Sequence, residues 1–484
     1  MTFGELERAC NRVTAAFLDY GLDKGDRVAI WAPNIPEWIV AAAGAQAAGG
    51  VLVPLNTRLK GKEAGYILRK SRARVLFTVG KFLGINYPDL LAGESLPALE
   101  RIVDLTEDPG PLETFAQLAA RGDSITDTAV SAAREQLGAD DLADIMFTSG
   151  TTGDPKGVMS SHGQNIWTSE AWSSAVGLRS DDRYLIVNPF FHTFGYKAGW
   201  LACVLRGATA IPVPVFDAGA VMRRVVDDAV SVLPGPPALF QAMLAHEQCG
   251  RLDLSSLRLA VTGAANVPPI LIQRMREILG FRTVLTGYGL TEAAVVTMCR
   301  HGDSDECVAL TCGMPIPGIE VRCMNDQGGN CEAGDPGEVL VRGRCVMQGY
   351  FEDPDATTAA IDADRWLHTG DVGVLDTEGY LRITDRKKDL FICGGFNCYP
   401  AEIEKLMSTH PAIIQVAVIG VPDERMGEVG KAFVVLRPDT ECDLQSIENW
   451  CRENMANYKV PRYIERVTTL PTTASGKVQK FALR

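Results

Sequence analysis

Ten residues, Thr148 to Gly157 (TSGTTGDPKG), gather the groups that phosphate binding needs: three glycines, four Ser/Thr hydroxyls and one lysine. Glycine lets backbone N–H groups approach a ligand closely, and hydroxyls and an ammonium add donors for phosphate oxygens. The Walker pattern, G-x-x-x-x-G-K followed by Ser or Thr, is absent, because here the lysine precedes the last glycine. A polar surface turn would need neither this density of hydroxyls nor Lys156. Two further candidates stand elsewhere in the chain. His192 sits in NPFFHTFGY, where Phe190 and Phe191 suit core packing. Lys477 sits in PTTASGK near the end, where a lysine taken alone is an ordinary solvated side chain.

The elements that must position these groups alternate. Apolar spacing at Leu6, Val13, Phe17 and Leu18 predicts an opening helix, RVAIWA a strand, EWIVAAAGAQAAGG a buried helix, and VLVPL and ARVLFTV further strands. DRYLIVNP, GATAIPVPV, LRLAVT and RTVLTG continue the pattern, with a helix expected near 197–206. Such alternation predicts an α/β fold with a parallel sheet. Residues 85–140 are less regular and are expected to be surface loops and connections. From about Gly313, short strands with Gly/Pro/Asp turns predict a small β-rich subdomain over 312–387. After Asp389 an α+β texture begins, with a helix opening at Pro400. The expected architecture is a large N-terminal domain of α/β layers, 1–387, and a smaller, mobile α+β domain, 388–484.

Composition narrows the partners. The 484 residues are 46% apolar and 22% charged, the balance of an ordinary globular chain. A net charge of −13 gives nothing for the phosphate attraction that drives non-specific nucleic-acid binding. Thirteen cysteines without a C-x-x-C pair, behind a polar start that lacks an apolar signal core, fit a reducing cytoplasm. Cys307/Cys312 and Cys393/Cys398 lack the partners that would complete a zinc site. No stretch is long and apolar enough to span a bilayer.

The phosphate loop does not stand alone. YGLTE (288–292), HTGD (368–371), TDRKKD (384–389), GGFNCYPAEIE (394–404) and PTTASGKVQK (471–480) follow it in order. This set resembles the adenylate-forming superfamily of acyl-CoA synthetases, amino-acid adenylation domains and luciferases. The likeness covers the chain from about 148 to its end, and the first 147 residues fit in pattern only.

The resemblance implies roles. Ser149, Gly150, Thr151, Thr152, Gly153 and Lys156 would hold the β- and γ-phosphates of ATP. Thr148 and Glu292 would hold Mg²⁺, which needs few protein oxygens when phosphates supply the rest. Tyr288, flanked by Gly287, Gly289 and Thr291, would stack on adenine, and the backbone at Gly263, Ala264 and Ala265 would line its edge. Asp371 would accept both ribose hydroxyls, backed by Arg386. Lys477 would be the catalytic lysine that stabilises charge at the α-phosphate. Lys388 would be the hinge, with Gly394 and Gly395 beside the pantetheine arm of coenzyme A. His192 would stand at the carboxylate pocket without acid–base duty, and Phe194, Gly195, Tyr196 and Val296 would wall the pocket. Small residues at 263, 287 and 289 imply room for a substantial acyl group.

The implied reaction joins a small-molecule carboxylic acid to coenzyme A through an acyl-adenylate. FFHTFG carries no acid to bind an α-ammonium, which argues against amino-acid substrates. NPFFHTFGYKAGW resembles bacterial ligases for bulky ring-bearing propanoates from steroid catabolism. Medium-chain fatty acids, aryl acids and a non-catalytic nucleotide-binding homologue are the rival readings. A homodimer is compatible with all of them.

Overall fold

The computed structural model describes residues 1–106, 110–148, 155–263, 267–386, 389–393, 396–423, 426–438, 440, 442–455, 457–472 and 478–483. Its largest sheet has eight strands, ordered Gly349–Tyr350, Lys156–Ser161, Leu142–Thr148, Val51–Pro54, Arg27–Trp31, Val75–Thr78, Arg101–Asp104 and Glu113–Thr114. From Leu142–Thr148 to Glu113–Thr114 every pairing is parallel. At the other edge Leu142–Thr148 and Lys156–Ser161 pair antiparallel, so the two ends of the phosphate loop are held as the arms of one hairpin. The central strands Val51–Pro54 and Val75–Thr78 are buried at every position, as expected of strands covered on both faces. One cover is the helix Pro36–Ala47, started by Pro36 and almost wholly apolar. The helix Phe3–Tyr20 packs on it closely. A Cβ at Gly44 would lie 2.5 Å from Val13 Cβ, and the Thr14 hydroxyl donates to the Gly44 carbonyl at 3.0 Å.

In a second sheet Leu259–Gly263 pairs parallel with Thr283–Leu290, which turns back antiparallel onto Ala293–Met298. Four antiparallel strands, Ile319–Met324, Pro336–Gly343, Leu367–Leu375 and Leu381–Arg386, form the expected β-rich part. Ile413–Asp423 and Gly427–Leu436 centre the last sheet, with Pro400–Met407 and Leu444–Asn454 as helices. One hydrophobic cluster runs from Cys10 to Leu381, and a separate one from Phe391 to Val460.

Two expectations need correction. Residues 85–140 are not only loops. Arg101–Asp104 joins the main sheet, and the helices Phe115–Arg121 and Asp127–Glu135 follow. The four-residue strand Arg101–Asp104 is too short to show a period, but Thr114 and Gln117 form a capping box whose spacing was visible. The helix near 197–206 is broken. A π-turn occupies Tyr196–Trp200, with Gly199 at φ −101°, ψ −108°, and the α-helix begins only at Leu201.

Candidate active site

The candidate site collects at strand ends. Thr148 closes one arm of the phosphate-loop hairpin and Lys156 opens the other, in direct register. The Thr148 hydroxyl donates to the Lys156 carbonyl at 3.4 Å. Tyr288 lies near the end of Thr283–Leu290, and Glu292 follows in the turn to Ala293–Met298. Asp371 is buried on Leu367–Leu375.

Tyr288 and Asp371 meet: the phenol donates to Asp371 Oδ2 at 2.6 Å. Arg386 stands directly opposite Asp371 in the sheet register. The Asp371 N–H donates to the Thr369 hydroxyl at 3.1 Å, which fixes the turn that presents the carboxylate.

Glu292 and Lys156 are joined through a residue that sequence reasoning missed. The Tyr350 hydroxyl donates to Glu292 Oε1 at 2.9 Å. The Lys156 ammonium lies 5.1 Å from the Tyr350 ring centroid, in cation–π range. Burial, and then the Glu292 charge, push the Tyr350 hydroxyl well above its usual range, so it stays a donor. Tyr350 pairs with Val158 on the hairpin's outer edge. A lone tyrosine in QGYFEDP carries no periodic or chemical signal that could have singled it out.

His192 caps a short turn. Its Nδ1 accepts from the Phe194 N–H at 3.2 Å, which leaves the proton on Nε2. Burial lowers its pKa to about 4, so the ring is neutral near pH 7. That fits a pocket residue without proton-transfer duty.

Several glycines and aromatics serve packing. A Cβ at Gly195 would lie 2.2 Å from the Pro189 carbonyl oxygen. Tyr196 is fully buried, stacked on Trp200 at 5.1 Å with its hydroxyl held by the Gln46 amide at 2.9 Å. Both are held by core packing. Gly263, at φ +155°, and Gly289 face backbone carbonyls, where a Cβ would lie 3.0 Å from Gly287 O and 2.3 Å from Ala294 O. Close strand contact accounts for these two glycines. At Gly287 a Cβ would lie 2.9 Å from both the Met298 methyl group and the Thr297 carbonyl oxygen, so this glycine too is fixed by the neighbouring strand.

Ser149, Gly150, Thr151, Thr152, Gly153, Ala264, Ala265, Lys388, Gly394, Gly395 and Lys477 lie outside the described residues, as does the side chain of Arg386. Among the described residues no group of three or more His, Cys, Asp or Glu could hold a metal ion. No described helix is long and apolar enough to cross a membrane.

Residues 1–351 match the sequence model of the AMP-binding enzymes, and residues 402–477 that of the AMP-binding enzyme C-terminal domain. The chain belongs to the AMP-binding enzyme family. It is 48% identical to a CoA ligase of Rhodococcus jostii whose named acyl group is a propanoyl on a methyl-dioxo-octahydroindene ring system, over all of this chain and 93% of that one. The ligase of the same name from Mycobacterium tuberculosis is likewise 48% identical over all of this chain and 93% of its own. Among solved structures, an anthranilate CoA ligase in complex with anthranoyl-AMP superposes with a TM-score of 0.91 at 32% identity, over 100% of this chain and 92% of that one. ATP-bound MatB of Rhodopseudomonas palustris gives 0.90 at 28%, with the same coverage. The protein is an AMP-forming acyl-CoA synthetase that uses ATP and coenzyme A to activate a small-molecule carboxylate.

Proposed function

We propose that the acid is a bulky ring-bearing propanoate from steroid breakdown, converted to its CoA thioester through an acyl-adenylate. The relatives from Rhodococcus jostii and Mycobacterium tuberculosis, both named for such an acid, support this reading.

The observation that carries the site assignment is the cluster Lys156–Tyr350–Glu292, taken together with the pair Tyr288–Asp371. Lys156 and the loop 149–153 hold the β- and γ-phosphates. Tyr288 lies against adenine and Asp371 takes the ribose hydroxyls, with Arg386 beside it. Thr148 and Glu292 would hold Mg²⁺. Both offer hard oxygen donors, and Glu292 Oε1 is already steered by Tyr350. When bound, the ion would neutralise phosphate charge. The carboxylate oxygen attacks the α-phosphorus and pyrophosphate leaves; Lys477 stabilises the charge that builds there. His192, neutral, orients the acid at the pocket mouth. The CoA sulfur then attacks the acyl carbon and AMP leaves.

A boundary at Lys388 suits the change of hydrophobic cluster between Leu381 and Phe391. The units are then 1–387, including the β-rich 312–387, and 388–484. Lys388 is the hinge between the two half-reactions, and Gly394 and Gly395 line the thiol arm's path. A cytoplasmic setting goes with the scattered cysteines, none of which is joined in a disulfide among the described residues.

The test is AMP and pyrophosphate release with ATP, Mg²⁺ and CoA against short, medium and long fatty acids, aryl acids and ring-bearing propanoates. Highest kcat/KM on a ring-bearing propanoate supports the reading. A medium-chain or aryl acid at the top would replace it.

A further inference from the structure

Lys197 is a cation inside an apolar run, and the reaction described above gives it no task. Its side chain is 3% exposed. The ammonium donates to the Ser160 hydroxyl at 2.9 Å and lies 3.4 Å from Asp144 Oδ1, in ion-pair range. Asp144 is 0% exposed, and its other oxygen accepts from the Asn165 amide. Burial pushes the carboxyl up and the ammonium down.

The placement of these partners is specific. Asp144 and Ser160 face each other across the phosphate-loop hairpin. The register continues through Met146 and Val158 to Thr148 and Lys156. Side chains alternate along a strand, so Asp144 and Thr148 share one face, as do Ser160 and Lys156. Four residue steps lead from the gripped pair to the loop mouth, about 13 Å of strand. Lys197 itself belongs to the π-turn Tyr196–Trp200, five positions after His192. Single π-turns of this kind recur at functional sites. One side chain therefore ties the segment of the acid pocket to both arms of the hairpin that holds ATP.

Stability alone does not account for it. Desolvating two charges is costly, and a hydrophobic pair of the same volume is often equally stable or more so. We propose that Lys197 is a positioning residue that, through Asp144 and Ser160, holds the carboxylate pocket and the phosphate loop in fixed register for adenylation. This rests on the site assignment above.

The experiment compares three full-length variants by thermal unfolding and by pyrophosphate release at varied ATP and acid. Lys197→Met/Asp144→Leu removes both charges together. It should unfold at or above the parent temperature. Its adenylation kcat should fall tenfold to a hundredfold, the range expected of misplacement by an ångström, while each KM stays within about twofold. Parent kcat in a folded double variant would overturn the proposal. Should that variant not fold, Ser160→Ala decides. With unchanged unfolding, a kcat loss of about fivefold supports the proposal, and parent kcat overturns it. Lys156→Ala runs alongside. If it binds and turns over ATP like the parent, the site assignment itself fails; if it is impaired while the other variants match the parent, only the role of Lys197 fails.

Discussion

Tyr350→Phe deletes one hydroxyl and leaves the ring on which Lys156 rests. The lost contact is the 2.9 Å hydrogen bond to Glu292. A hydrogen bond to a charged acceptor is worth ~1.5–3 kcal/mol. Glu292 is only partly buried, so the low end applies. About 1.5 kcal/mol corresponds to roughly tenfold in rate. The loss should fall on the step that uses Glu292. In a pyrophosphate-release assay, kcat/KM for ATP should drop about tenfold and the Mg²⁺ concentration for half-maximal rate should rise. Thioester formation from pre-made acyl-adenylate should keep the parent rate. Tyr350→Ala, which also removes the cation–π contact, should lose a further ~0.5–1 kcal/mol in the same assay. If Tyr350→Phe keeps kcat/KM for ATP within twofold, the hydroxyl does not steer Glu292 and the reasoning is refuted.

Lys477→Ala should abolish adenylation yet spare CoA transfer from pre-made acyl-adenylate; equal loss of both half-reactions would remove the catalytic role from Lys477. Lys388→Pro should do the reverse, because a fixed φ blocks rotation at the hinge, and an unimpaired second half-reaction would refute it. His192 gives a pH signature. Its folded pKa of about 4 lies below the ordinary 6.5, so between those values the unfolded chain binds the proton and the folded chain does not. Stability is therefore highest above pH 6.5 and falls as pH drops toward 4. The full gap is worth ~3 kcal/mol, reduced toward ~2 kcal/mol by the ring's partial exposure. Denaturant titrations of parent and His192→Leu at pH 7 and pH 4.5 should show a smaller acid loss in the variant, and equal losses would count against a buried neutral imidazole.

The chemistry of the site was legible because its groups come as local words. TSGTTGDPKG, YGLTE and HTGD each hold their donors within ten residues, and spacing that short survives any tertiary arrangement. Strands such as Val51–Pro54 and the buried helix Pro36–Ala47 were legible for the same reason: burial on all sides leaves an unbroken apolar run. Arg101–Asp104 escaped because an edge-side strand of four residues has too few positions to show a period.

The sequence by itself determined the class of reaction, the α/β fold and the order of the binding segments. Only the tertiary structure decided which side chains connect them. Tyr350 reaches Glu292 across 58 positions, and Lys197 reaches Ser160 across 37. Among the described residues neither side chain has a local partner that would mark it. It also decided that Gly195 and Gly289 are packing glycines, since the atoms that exclude a Cβ there are backbone carbonyls. A motif records what a segment touches in its ligand. Contacts between segments depend on how strands register and turns pack, and that information is spread over the whole chain.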